Sequence, residues 1–204
     1  MPKAQELERL PAAILAGGRS SRMGKNKALL PLGNSTVIER IIGTVRPLCD
    51  PLFLVADFEE EYRFLGLPVY PDIYKNSGPL TGIHSALSHA KTDRVVVLSC
   101  DLPFVSSDVL LHLIGWTGEC DALVLSDRGR IHPLCGIYRK RSLNIIDTAL
   151  RREERSVQSF LRTINTVTID LSDCPSISPA VLTNLNTPET YQACLDLITR
   201  EHLN

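Results

Sequence analysis

Short apolar runs alternate with amphipathic segments along the chain as far as about residue 115. Continuous runs such as Ala12–Ala16 and Leu52–Ala56 predict buried strands, because a strand covered on both faces carries apolar residues throughout. Between them, Thr36–Leu48 repeats its apolar residues three and four apart and predicts a helix. The other predicted strands are Leu67–Tyr70, Arg94–Cys100, Asp121–Ser126, His132–Tyr138 and Ile164–Ile169. The other predicted helices are Leu80–Lys91, Arg139–Arg152, Ser156–Arg162 and Pro188–His202.

Helix-start signals support several of these elements. Thr36 and Glu39 have the spacing of a capping box, and Gly78-Pro79 suits the entry to the next helix. Either Asn186 or Thr187 caps the last helix. Strand–helix alternation predicts an α/β fold with helices on both faces of a mostly parallel sheet. Neighbouring strands in the C-terminal half predict an antiparallel edge.

Composition removes several classes of protein. The chain has 204 residues, 44% of them hydrophobic, and a formal net charge of −1, which gives no general attraction to nucleic acid or an anionic membrane. No run approaches the roughly 18 apolar residues of a membrane span, and no signal peptide is visible. The six cysteines form no C-x-x-C pair. We therefore expect a cytoplasmic protein with reduced thiols and neither a nucleic-acid nor a membrane partner.

The segment richest in chemistry is Ala13–Leu30, AILAGGRSSRMGKNKALL. Adjacent glycines after a strand let backbone N–H groups approach an anion, because no Cβ stands in the way. Two familiar phosphate motifs do not fit. Lys25 is followed by Asn26 instead of Ser or Thr, which excludes a P-loop, and the spacing after Gly17 excludes the dinucleotide fingerprint. The residues alone leave open a phosphate loop or a tight turn with solvated charges.

A longer motif favours the phosphate loop. Leu15–Gly33, LAGGRSSRMGKNKALLPLG, resembles the N-terminal signature of the MobA-type nucleotidyltransferases, roughly L-A-G-G-x-S-x-R-M-G-x-x-K-x-L-L-x-x-x-G. Three later stretches resemble further family segments in the same order. They are SGPLTGIHSAL at Ser77–Leu87, LSCDLPF at Leu98–Phe104 and NLNTPE at Asn184–Glu189. The resemblance implies a Rossmann-like three-layer α/β/α nucleotidyltransferase fold. It implies one domain over residues 1–204, with a nucleotide-binding half at about 10–115 and a molybdopterin-side half at about 116–204.

The same resemblance implies an enzyme that transfers GMP from GTP to molybdopterin, the molybdenum cofactor, and releases pyrophosphate with Mg²⁺ as its metal. Other cofactor-biosynthesis proteins and acceptor molybdoenzymes are its further expected partners. The alternatives are a cytidylyltransferase for the same pterin, another small-molecule nucleotidyltransferase, or a catalytically silent nucleotide-binding protein. Gly17 and GPLTGI favour guanine, because the cytidylyl branch tends to have L-A-A-G and lacks that segment. Lys27 and Asp101 favour an active enzyme.

The matched motifs imply roles for single residues. Arg22 and Lys27 are expected to face the triphosphate, and Asp101 is the third expected catalytic residue. Asp101 and Asn186 are expected to hold the metal, although a turn and a helix cap are their alternative roles. The expected nucleotide-binding residues are Leu15, Ala16, Gly17, Gly18, Lys27, Asp72, Gly82 and Asp101.

Three details bear on the ligands. Main-chain groups of Leu15–Gly17 could match the hydrogen-bonding edge of guanine. Where the family often has asparagine after the second strand, this chain has Val55-Ala56-Asp57, which leaves that contact open. His132 is either a pterin-side ligand or a structural histidine.

Overall fold

A computed structural model describes residues 8–17, 26–75 and 78–201, which form a seven-stranded sheet, a small hairpin and six α-helices. The strands are β1 Ala12–Leu15, β2 Pro31–Leu32, β3 Ser35–Thr36, β4 Leu52–Val55, β5 Val69–Tyr70, β6 Arg94–Ser99, β7 Ala122–Asp127, β8 Arg130–Arg139 and β9 Thr166–Asp170. The helices are α1 Val37–Val45, α2 Pro79–His89, α3 Ser107–Gly115, α4 Leu143–Arg151, α5 Val157–Leu161 and α6 Pro188–Glu201. None of the helices in these described ranges is both long and apolar enough to cross a membrane.

The large sheet has the strand order β5-β4-β1-β6-β8-β7-β9. β1 pairs in parallel with β4 on one side and with β6 on the other, so it lies in the interior of the sheet. Alternate residues of β1 face opposite helix layers. Ile14 lies in the core with α1, α3 and α6, whereas Ala13 lies in the core with α2, α4 and α5. The predicted three-layer, mostly parallel α/β/α fold is confirmed.

One detail of that prediction needs correction: the antiparallel strand is inside the sheet and not at its edge. β8 lies between β6 and β7 and is antiparallel to both, whereas the edge strand β9 is parallel to β7. A two-residue turn makes β8 antiparallel to β7, and β9 occupies the other side of β7, so that β8 is not at the edge. The turn residues Arg128 and Gly129 have φ values of 49° and 79°. Positive φ values at both positions give the turn the same right-handed twist as the two strands that it connects. The hairpin folds β8 onto the side of β7 that faces β6.

Local signals set many element boundaries. Thr36 and Glu39 form the predicted capping box, in which each side chain accepts a hydrogen bond from the other residue's N–H. α2 begins at Pro79 after Gly78, as the sequence indicates. The helix α3 is an element that the sequence analysis did not name, although Ser106 caps it by accepting from the N–H of Val109.

Gly136 in β8 generates a prediction about stability. A Cβ at this position would lie 2.3 Å from the carbonyl oxygen of Leu123 and 3.0 Å from the Cα of Val124. Both are main-chain atoms of the paired strand β7, so they cannot move without disturbing the pairing. Gly136→Ala should lower the free energy of unfolding by about 1–3 kcal/mol, the usual cost of overpacking. Urea denaturation measures this change.

Gly43→Ala is the matched control. A Cβ on Gly43, within α1, would meet open space among the described residues. Alanine is the better helix former by up to about 1 kcal/mol, so this variant should be as stable as the wild type or more stable. Equal unfolding midpoints for Gly136→Ala and the wild type would contradict the prediction.

Candidate active site

The carboxyl ends of β1, β4, β5 and β6 meet at one edge of the sheet, because these four strands are parallel. From β1 the chain goes to β4 and β5 on one side and then returns to β6 on the other. This change of direction is a topological switch point, where open α/β sheets bind their ligands. Gly17, Asp57, Asp72 and Asp101 follow the four strands at this edge.

Lys27, Asp101 and Asn186 come together on the β6 side of the edge. The Lys27 ammonium nitrogen lies 3.2 Å from a carboxylate oxygen of Asp101 and 2.9 Å from the side-chain oxygen of Asn186. The Lys27 and Asp101 side chains are only 22% and 14% exposed. Partial burial strengthens this ion pair relative to one on an open surface.

Local structure holds each of the three residues in place. Lys27 opens a short 3-10 helix, Lys27–Leu29, whose cap Asn26 accepts a hydrogen bond from the N–H of Ala28 at 3.1 Å. The segment before α6 is tied to the end of β6 by a hydrogen bond from the Leu185 N–H to the Asp101 carbonyl at 2.8 Å. This main-chain bond brings the preceding loop of α6 against Asp101.

Thr187, and not Asn186, caps the last helix. The hydroxyl oxygen of Thr187 accepts a hydrogen bond from the N–H of Thr190 at 3.3 Å, and the Thr190 hydroxyl donates to the Thr187 carbonyl at 2.9 Å. The side-chain oxygen of Asn186 therefore faces Lys27 instead of the helix. The alternative role of Asn186 as a cap does not apply.

The donor set of this cluster suits Mg²⁺. Carboxylate and amide oxygens are hard ligands, and Mg²⁺ in nucleotide sites is held by one or two such side chains together with substrate phosphates. Asp101 and Asn186 already face one positive charge, the Lys27 ammonium. In the part of the chain that the structure describes, no three His, Cys, Asp or Glu side chains form a metal cage of their own. The geometry fits a metal shared with phosphate.

Gly17 and Asp72 form a second group on the other side of β1. A Cβ on Gly17 would lie 3.5 Å from a carboxylate oxygen of Asp72 and 3.8 Å from the carbonyl oxygen of Val55. Gly17 is exposed, whereas Asp72 is half-buried. A ligand that contacts the Gly17 main chain is therefore also within reach of the Asp72 carboxylate.

The Asp72 carboxyl has a perturbed pKa. Burial, and secondly the nearby charge of Asp57, raise this pKa to about 6, while Lys75 and the hydroxyl of Ser85 act in the opposite direction. Asp57 itself forms an ion pair with Lys75. Asp57 belongs to the Val55-Ala56-Asp57 stretch, where the family often has asparagine. Its negative charge therefore acts on the Asp72 carboxyl. Perturbed carboxyl groups in clefts are typical of functional sites.

The main chain before Gly17 is already engaged. The carbonyl of Leu15 accepts from the N–H of Cys100 at 3.0 Å, and the N–H of Ala16 donates to the Val55 carbonyl at 2.9 Å. The buried Tyr62 hydroxyl donates to the Ala16 carbonyl at 3.0 Å. These bonds fix the turn. Within Leu15–Gly17, the main-chain N–H and carbonyl of Gly17 are the groups that make no hydrogen bond to another described residue.

Gly82 lies below this turn, inside α2. A Cβ on it would lie 2.8 Å from a terminal methyl carbon of Leu15, so the glycine lets the helix approach the end of β1 closely. Gly82 thus supports the turn through packing, and its predicted contact with nucleotide stays a prediction.

His132 lies near the start of β8, where this antiparallel strand begins at the same edge of the sheet. Burial and the charge of Arg130 lower the pKa of its imidazole, while Asp127 and Asp101 act in the opposite direction. The charge of Asp101 is the weakest of these influences on His132. The position of His132 beyond β6 fits the side of the site that is opposite to Gly17 and Asp72.

Two predicted residues, Gly18 and Arg22, lie outside the described residues. Sequence reasoning also missed two residues that support the site, Tyr62 and Asn26. The Asn26 amide donates to the Tyr62 hydroxyl at 2.9 Å, which connects the start of the Lys27 helix to the turn after β1. An asparagine directly before a short helix is a local cap signal that could have revealed Asn26. Tyr62 has no such local signal.

An open, mostly parallel sheet with its polar residues at the switch point is the architecture of a nucleotide-binding α/β protein. The family model of the MobA-like NTP transferase domain matches residues 12–169. The chain therefore belongs to the MobA-like NTP transferase family and is a nucleotidyltransferase.

Relatives of known name cover nearly the whole chain. It is 38% identical over 195 residues to a probable molybdenum cofactor guanylyltransferase of Carboxydothermus hydrogenoformans. This alignment covers 95% of this chain and 98% of that protein. The chain is 37% identical over 180 residues to the molybdenum cofactor guanylyltransferase of Vibrio vulnificus. That alignment covers 86% of this chain and 90% of the Vibrio protein. The crystal structure of molybdopterin-guanine dinucleotide biosynthesis protein A from Archaeoglobus fulgidus is similar with a TM-score of 0.81 and 25% identity, and covers 94% of this chain and 100% of that one.

The raised pKa of Asp72 predicts how one substitution changes stability. The folded pKa of about 6 exceeds the ordinary value of 3.8, so the folded protein binds this proton more tightly than the unfolded chain does. The free energy of unfolding of the wild type therefore falls as pH rises from the ordinary pKa of 3.8 through the folded pKa of about 6, because a partly buried carboxyl group must ionise. Asp72→Asn should raise the urea midpoint at about pH 7.5 and leave it unchanged at about pH 4. The exposed Asp196→Asn is the control, and an equal effect of both variants at both pH values would contradict the prediction.

Proposed function

We propose that this chain transfers GMP from GTP to the terminal phosphate of molybdopterin and releases pyrophosphate. The observation that carries the proposal is the Lys27 ammonium, held between the oxygens of Asp101 and Asn186 at the switch point beside Gly17. The names of the relatives support the choice of substrates. We further propose that the chain acts in the cytoplasm and passes its product to acceptor molybdoenzymes. All six cysteines are buried and free of disulfides, which is usual in a reducing compartment.

The reaction needs positioning and charge neutralisation more than a general base. An oxygen of the molybdopterin phosphate is already anionic, so it forms the new bond to the α-phosphorus of GTP without losing a proton. The bond from that phosphorus to the bridging oxygen of the β-phosphate breaks, and pyrophosphate leaves with the negative charge. The main barrier is the approach of two anions. Lys27 carries the positive charge that lowers this barrier.

Asp101 and Asn186 would hold Mg²⁺ through their side-chain oxygens. The bound ion would neutralise phosphate charge as a Lewis acid. Lys27 already contacts both oxygens, so its ammonium is near enough to contact phosphate that reaches the same ligands. His132, which lies near the start of β8 at the same edge of the sheet, is the described residue that we assign to the acceptor side.

Gly17 and Asp72 support the choice of guanine. Guanine presents two adjacent donors, N1–H and the 2-amino group, and an ionised carboxylate accepts two such bonds at once. Asp72 lies against Gly17, where the chain leaves β1 and where residue 17 itself has no side chain to stand between the base and the carboxylate. Adenine lacks both donors on this edge, and the smaller ring of cytosine reaches fewer contacts.

Nucleotide selectivity tests the proposal. GTP should exceed ATP and CTP by at least about 100-fold in kcat/KM, because unpaired polar groups in a recognition site reject the wrong base strongly. The measurement is pyrophosphate release with molybdopterin and Mg²⁺ at matched nucleotide concentrations. Equal or faster turnover with CTP would assign the chain to the cytidylyltransferases. Nucleotide binding without turnover would make it a silent nucleotide-binding protein.

Two substitutions separate the roles of lysine and aspartate. Lys27→Ala should lower kcat by about 100-fold, because a charge aimed at the transferring phosphate is lost. Asp101→Asn should raise the Mg²⁺ concentration needed for half-maximal pyrophosphate release, because a neutral amide is a weaker ligand than a carboxylate. Steady-state kinetics with a Mg²⁺ titration of each variant measures both effects.

Lys91→Ala controls for the loss of one positive charge. Lys91 is exposed and precedes β6, at the end of this strand that lies opposite to Asp101. This variant should keep the kcat and the metal dependence of the wild type. Near-wild-type turnover of Lys27→Ala, or an unchanged metal titration for Asp101→Asn, would contradict the assigned role.

A further inference from the structure

The loop that carries Asp72 is tied to the first turns of α2. The N–H of Ile73 donates to the hydroxyl of Ser85 at 3.0 Å, and the hydroxyl of Thr81 donates to the carbonyl of Tyr74 at 2.9 Å. Ser85 is buried, and its hydroxyl also lies 3.5 Å from an Asp72 carboxylate oxygen. One helix thus fixes the main chain of the loop at Ile73 and at Tyr74.

A third attachment joins the same loop to a different helix. The Tyr74 hydroxyl donates to the carboxylate of Asp147 in α4, and the Tyr74 ring lies edge-on to His84 with 5.2 Å between ring centroids. His84 in α2 places its Nε2 atom 3.6 Å from the same Asp147 carboxylate. Arg151 donates to the other oxygen of Asp147 at 2.7 Å. No role for any of these side chains follows from the sequence alone.

The charges within this cluster favour a fixed arrangement. The hydrogen bond from Tyr74, with that from Arg151, lowers the pKa of Asp147, so the carboxylate is ionised near neutral pH. Burial lowers the pKa of His84, and its Nδ1 atom is buried without a hydrogen-bond partner in the described structure. The Tyr74 hydroxyl therefore donates to a charged acceptor, which makes a stronger bond than a neutral acceptor does.

The Asp72 loop needs such an attachment. Partial burial and the charge of Asp57 both disfavour the ionised Asp72 carboxylate in its position against Gly17. Rotation of the loop toward water would relieve both penalties. The bonds to α2 and α4 oppose this movement, and of these three bonds between described residues the one to α4 connects the loop to a second helix.

We propose that Asp147 and Tyr74 are positioning residues for nucleotide recognition, holding the Asp72 carboxylate against Gly17 without contacting the nucleotide themselves. This inference rests on the proposed function, because it assigns the guanine contact to Asp72. Its consequence is specific to binding. Loss of the attachment reduces the fraction of molecules whose loop is ready for GTP, and the apparent affinity falls by that fraction. The step at phosphorus, on the other side of β1, is unaffected.

Two conservative variants test this inference. Tyr74→Phe keeps the ring against His84 and removes only the donor, whereas Asp147→Asn keeps the shape of the side chain and removes the charge. Each should raise the KM for GTP, and the Kd for GTP measured calorimetrically without molybdopterin, by about tenfold. Each should keep kcat within about twofold of the wild type. The double variant should be no worse than Tyr74→Phe alone, because both substitutions act on the same hydrogen bond.

Arg151→Ala is the matched control, because it removes the other partner of the same carboxylate and leaves Tyr74 in place. It should keep the Kd for GTP within about twofold of the wild type. A purely structural role of the cluster would lower the urea midpoint of the Tyr74 and Asp147 variants and leave their Kd for GTP unchanged, and this result would overturn the inference. Failure of the wild type to bind GTP would instead overturn the proposed function, and the inference with it.

Discussion

The parallel pairing of β1 with a strand on each side is the constraint on which the rest of the structure depends. β1 is bonded to β4 and to β6, and its alternate residues enter the two separate cores. A strand enclosed on both edges and both faces has no freedom to shift its register. The turn after it is therefore fixed, with Gly17 exposed between the ends of its two neighbours.

The polar residues divide into two groups across this strand, and their electrostatics differ. On the β6 side, Lys27 lies between the oxygens of Asp101 and Asn186, so opposite charges stabilise one another. On the β5 side, burial and a like charge at Asp57 raise the pKa of Asp72 to about 6. The Lys27 group suits phosphate and metal. The Asp72 carboxylate is a hydrogen-bond acceptor whose ionised form is unfavourable in the folded protein. Such a cost to stability is typical of residues retained for function.

Two tyrosines outside these groups help to hold them in place. The Tyr62 hydroxyl connects the turn after β1 to Asn26 and the start of the Lys27 helix. The Tyr74 hydroxyl connects the Asp72 loop to Asp147 in α4. Each connection uses a tyrosine, because this side chain spans an apolar layer and still presents a donor at its end. The supporting shell is thus as much a part of the site as the residues that face the ligand.

The sequence by itself determined the features that depend on neighbours along the chain. The apolar run of β1, the capping box of Thr36 and Glu39 and the Gly17 turn were predictable, because strand burial, helix capping and glycine turns are encoded within a few residues. Tertiary structure alone decided that β8 lies inside the sheet and that Asn186 meets Lys27 across 159 positions of sequence instead of capping its own helix. It also decided the pKa of Asp72 and the link from Tyr74 to Asp147. These outcomes depend on burial and on distances between remote segments, which arise only when the whole sheet and both helix layers pack together.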